Sequence, residues 1–125
     1  MSATILLIDD EKLVRESLER FLDFCGYRVL TACDGEEGVE IFRRMAGSVD
    51  LVILDWILPG RGGAWTLEAL RDAAPDCRVV LFSGHNEGWE GVAADDLIFK
   101  PVAMPELLER IRVVLADENV CLTGE

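Results

Sequence analysis

Residues 51–60 read LVILDWILPG. Four apolar residues, Leu51, Val52, Ile53 and Leu54, run straight into Asp55; Trp56, Ile57 and Leu58 follow, and Pro59-Gly60 closes a turn. A continuous apolar run with turn signals behind it fits a strand buried on both faces, as in a parallel sheet. Such a strand ends at a wet rim, where its last polar residue, here Asp55, is expected to be held rigidly while facing solvent. In open α/β sheets, ligands bind outside the carboxyl ends of the strands. A second run behaves the same way: Ile5, Leu6, Leu7 and Ile8 lead into Asp9-Asp10-Glu11.

Upstream of this stretch, a helix is expected over residues 11–25, with Leu13, Val14, Leu18, Phe21, Leu22 and Cys25 as its apolar stripe. Gly26 ends it as a C′ glycine. A short strand over 27–32, an Asp34-Gly35 turn and a helix over 36–45 come next, the helix broken by Gly47-Ser48. Downstream, a mobile three-glycine loop over 59–63 precedes a helix over 64–74 that Pro75 stops. The run RVVLF over 78–82 is another buried strand, and Ser83-Gly84-His85-Asn86 leaves it as a loop. Residues 87–94 carry Gly88 and Gly91, so any helix there is short and weak. A last strand over 97–99 delivers Lys100-Pro101, and a final helix spans 104–117 with Pro105 in its first turn. Strand and helix alternate five times, which predicts one α/β domain over residues 1–117 with helices on both faces of a doubly wound parallel sheet. Residues 118–125 read as a tail.

The 125-residue length suits one domain, and a hydrophobic content of 50% supports a full core. With 24 acidic against 12 basic residues the net charge is −12, which argues against nucleic-acid binding and suits a divalent cation or a cationic partner face. Cys25, Cys33, Cys77 and Cys121 have no metal-ligand spacing. Without a signal peptide, free thiols in a cytoplasmic setting are the expectation. No apolar run approaches the ~20 residues that a membrane helix needs.

Set side by side, the strand ends hold Asp9, Asp10, Asp55, Ser83 and Lys100. Crowded carboxylates repel one another, and a hard divalent ion relieves the repulsion. A cation, a carboxylate nucleophile, a hydroxyl and an ammonium are the parts that phosphoryl transfer through an aspartyl phosphate needs. Asp9-Asp10 alone also reads as a helix cap, and Asp55 alone as a turn residue; their company with Lys100 favours the metal.

In order and spacing, Asp9-Asp10, Asp55 with Pro59-Gly60, Ser83 and Lys100-Pro101 resemble the receiver domains of two-component response regulators over residues 3–116. The resemblance implies a flavodoxin-like (βα)5 fold with strand order 2-1-3-4-5. It also implies that Asp55 takes a phosphoryl group from a phosphohistidine on a sensor histidine kinase or phosphotransfer protein. By the same likeness, Asp10, Asp55 and the Ile57 carbonyl would ligate Mg²⁺, with Asp9 acting through a bound water. Lys100 would pair with the phosphate, and Ser83 would hydrogen-bond it and move inward. The Trp56 and Gly84 N–H groups would support the other oxygens, and a cis Pro101 would aim Lys100. Such a domain catalyses only its own phosphorylation and dephosphorylation, and can dimerise when phosphorylated.

The chain departs from the family in several places. Leu97 stands where a switching aromatic is usual. Only 17 positions separate Ser83 from Lys100, so the fourth helix is expected to be short or missing. Ala103 replaces a capping residue, and Gly62 an acidic one. Ile57 and His85 flank the site where neighbours influence hydrolysis. A dehalogenase-type phosphotransferase is disfavoured because Ile57, not an acid, lies two residues past Asp55. The other rival is a receiver-like interaction module that no longer signals by phosphorylation.

Overall fold

The structure is a computed structural model, and it describes residues 3–45, 47–84 and 91–116. His85, Trp89, Cys121 and the tail 118–125 lie outside those residues. Five strands and four helices follow in the order β1 (Thr4–Ile8), α1 (Lys12–Phe24), β2 (Arg28–Ala32), α2 (Gly35–Arg44), β3 (Leu51–Asp55), α3 (Gly62–Ala73), β4 (Val79–Ser83), β5 (Asp96–Phe99), α4 (Met104–Leu115). All pairings are parallel, and the sheet order is β2-β1-β3-β4-β5. This is the expected flavodoxin-like arrangement. Among the described residues no helix stands between β4 and β5; residues 92–95 run as irregular chain. No described helix is long and apolar enough to cross a membrane.

The central strands are apolar throughout because both of their faces are covered. Alternate residues feed two cores. Ile5, Leu7, Ile53, Val80, Phe82 and Ile98 pack with Leu18 and Leu22 of α1 and Leu107, Ile111 and Val114 of α4. Leu6, Ile8, Val52, Leu54 and Leu81 pack with Val39 and Phe42 of α2 and Leu67 and Leu70 of α3. That period of two decides which face each strand-end side chain shares. Asp9 and Asp55 fall in phase with Leu7 and Ile53, on the α1/α4 side.

The helix ends are built unequally. Asp34 caps α2, accepting from the Glu37 N–H at 2.8 Å, and the Glu37 carboxylate reaches back to the Cys33 N–H at 2.9 Å. Glu36 and Glu37 in the first turn and Arg43 and Arg44 in the last complement the helix dipole. Ala103 offers α4 no side-chain cap, as its identity dictates.

Two expectations are revised. Leu13 is not part of the buried stripe: it is 79% exposed, because five residues before Leu18 it lies well round the helix from the face on which Val14, Leu18 and Leu22 pack. The third helix starts at Gly62, so two residues read as loop belong to α3. Gly62 takes a φ of +83°, and a Cβ on Gly63 would collide with the Trp56 carbonyl. Glycines here allow α3 to close onto the chain just after β3. Arg61 braces this turn, stacking over Trp65 at 4.8 Å and pairing with Glu36 at 3.1 Å.

Candidate functional site

The carboxyl ends of β1, β3, β4 and β5 surround a cleft of about 290 Å³ lined by Asp10, Glu11, Asp55, Ile57, Ser83, Gly84 and Lys100. Lys100 reaches it because its own N–H donates to the Ser83 carbonyl at 2.9 Å, tying the end of β5 to the end of β4. The Lys100–Pro101 bond is cis. The Lys100 ammonium lies 3.2 Å from Asp9 Oδ2 and 3.3 Å from Asp55 Oδ2. Asp9, Asp10 and Asp55 each present a carboxylate oxygen, all within 4.8 Å of one another. Three hard oxygen donors on two adjacent strands fit a small divalent cation such as Mg²⁺.

Asp55 does not face solvent, contrary to the expectation from sequence. It is 5% exposed, and Asp9 is 1% exposed, because Lys100 and the cleft's own rim close over them. Burial pushes the Asp55 carboxyl up to about 6; Asp9 adds to the rise, and the Lys100 ammonium and the Ile57 N–H oppose it. Burial pulls the Lys100 ammonium down, but Asp55 and Asp9 outweigh it and leave the amine above its ordinary value.

Backbone contacts fix the acids. The Glu11 N–H donates to Asp9 Oδ1 at 2.9 Å and the Ile57 N–H to Asp55 Oδ1 at 3.1 Å. Arg15 donates to the Asp9 carbonyl at 2.8 Å. Ser83 is buried at the end of β4, while the Ile57 side chain and Gly84 are open to water. Trp56 turns its ring away, into the core under α2 and α3. Leu97 is not brought to the cleft; it packs against that same core three residues before the lysine.

Two neighbours of the lysine escaped the sequence reading. The Glu11 carboxylate lies 3.7 Å from Lys100, and the Phe82 ring lies under the ammonium at 5.1 Å. Glu11 directly follows the acidic pair, which was the available signal. Phe82 looks like any other strand residue until the register sets it beside Asp55.

The likeness to known proteins agrees with this geometry. The family model described as response regulator receiver domain matches residues 5–112. Response regulator MprA of Mycobacterium ulcerans (strain Agy99) is 38% identical over 120 residues, covering 92% of this chain and 51% of that protein. The chain thus spans about half the length of the curated relatives it matches. A response regulator receiver domain protein from Clostridium thermocellum superposes with a TM-score of 0.86 at 28% identity, over 95% of this chain and 98% of that one. The response regulator TrrA from Thermotoga maritima, solved in complex with Mg²⁺ and BeF, gives 0.81 at 32% identity, over 90% of this chain and 98% of that one. Sheet order, acidic cleft and sequence match converge: the chain belongs to the response regulator receiver domains, the phosphoacceptor switches of two-component signalling.

Proposed function

We propose that Asp55 is the phosphoacceptor and that the cleft described above is where transfer takes place. An Asp55 oxygen attacks the phosphorus of a phosphohistidine; the O–P bond forms as the P–N bond breaks, and the imidazole leaves carrying a proton. Asp9, Asp10, Asp55 and the Ile57 carbonyl would hold Mg²⁺, which supplies positive charge against the crowded carboxylates and the transferred group. Lys100 stands 3.3 Å from the nucleophile and is ready to neutralise the incoming phosphoryl oxygens. The Ser83 hydroxyl and the N–H groups of Trp56 and Gly84 are assigned to the remaining oxygens. Moving Lys100 and Ser83 onto the phosphoryl group would favour a second conformation, and that differential fit is the switch.

The donor is a sensor histidine kinase or a histidine phosphotransfer protein in the cytoplasm. The receiver unit covers residues 1–117. The observation that carries this reading is the meeting of one ammonium with two buried carboxylates from different strands, Asp10 beside them. Incubation with acetyl phosphate and Mg²⁺ tests it: intact mass should rise by one phosphoryl group, and Asp55→Ala should abolish the gain. An unmodified wild-type chain, or an equally modified variant, refutes the assignment.

A further inference from the structure

Among the described residues, three acids and one aromatic ring lie near the Lys100 charge. Asp9, Asp55 and Glu11 compete for the ammonium, while the Phe82 ring lies beneath it at 5.1 Å. Phe82 is 4% exposed and locked in the α1/α4 core between strand neighbours Asp55 and Ile98. On its outer side, an apolar groove of about 300 Å³ runs along the lysine, lined among others by Phe82, Pro101, Val102 and Met104. The lysine stem therefore lies in an apolar trough, and only its charged tip enters the polar cleft. A cation that engages the carboxylates would compete with the ammonium for them. The ring face remains, and an aromatic face attracts an ammonium most strongly where water is excluded.

We infer that Phe82 is a positioning residue for Lys100, holding the ammonium at the mouth of the cleft while its acid partners are otherwise engaged. This rests on the assignment of Asp55 as phosphoacceptor. It gives position 82 a role in this chain that the aliphatic Leu97 cannot take.

The test is a double-mutant cycle on the rate of phosphorylation by acetyl phosphate. Phe82→Leu is expected to slow the reaction about three- to ten-fold, as loss of a partly desolvated cation–π contact implies. In a Lys100→Met background the same change should have no further effect. A trifluorinated phenylalanine at position 82 keeps the shape and weakens the ring face, so it should slow the reaction without lowering stability; a merely structural role predicts no change. A reactive wild type whose rate is the same with Phe82→Leu or the fluorinated ring overturns this inference alone. Equal slowing in the Lys100→Met background does so too. An unreactive wild type overturns the Asp55 assignment and this inference with it.

Discussion

At the carboxyl end of β5, Lys100 stands between Asp9 and Asp55, with Glu11 3.7 Å away. At the amino end of the same strand, Asp95 and Asp96 each meet an arginine. Arg110 grips Asp96 through two bonds of 2.9 and 2.6 Å, and also donates to the Leu97 carbonyl. Arg71 donates to the Cys77 and Ala93 carbonyls and lies 3.8 Å from Asp95, whose carboxylate also accepts the Val79 N–H. At the arginine end one carboxylate is gripped by a planar fork and the other lies beside a second guanidinium; the lysine end leaves several acids to share one compact, rotatable charge. One corner is braced by its charges, and the other keeps acidity in excess that a cation and a phosphoryl group can use. The bond to Asp96 also holds the Arg110 guanidinium charged, above its ordinary value.

That contrast can be broken in graded steps. Asp55→Ala should abolish phosphoryl uptake by intact mass, with the secondary structure retained by circular dichroism. Lys100→Met should cost about 2–4 kcal/mol in a urea melt at neutral pH, because it strands two buried carboxylates. It should also slow phosphorylation in a stopped-flow assay. A metal-free pH series comes next. Because burial holds the Asp55 carboxyl up at about 6, above its ordinary 3.8, its contribution is fully present below about 3.8 and lost as pH rises through about 6. The full shift corresponds to about 3 kcal/mol, which water in the cleft reduces to about 1–2 kcal/mol. Urea melts of wild type against Asp55→Asn should show that slope vanish in the variant, and saturating Mg²⁺ should flatten it in the wild type. At the braced corner, Arg110→Ala should cost about 1 kcal/mol and leave the phosphorylation rate unchanged. Finally, Ile57→Asn should shorten the phosphoryl lifetime by roughly two- to five-fold, since an exposed polar side chain beside the cleft helps to seat the attacking water.

The fold was readable in the sequence because central strands of a parallel sheet must be apolar on both faces. Runs such as ILLI and LVIL announce themselves, and the polar residue ending each run marks the ligand side. Asp9, Asp10, Asp55, Ser83 and Lys100 were singled out that way, and the structure brings the three aspartates and the lysine together. What was not readable depends on contacts between segments far apart in the chain. The start of α3 at Gly62 reflects how closely Gly63 approaches the Trp56 carbonyl, which no local pattern encodes. Asp55 is buried because Lys100, 45 residues away, reaches over to it. The Phe82 ring meets the ammonium only through the register that sets it beside Asp55.

The alternation of side chains along β1 and β3 puts Asp9 and Asp55 on the same surface as half of the core. Inserting one residue inside either strand would turn its terminal aspartate through the sheet, toward α2 and α3 and away from the lysine. A chain edited this way could still present five strands and the right composition, yet be chemically mute. Frame, rather than inventory, separates a working receiver from its imitation.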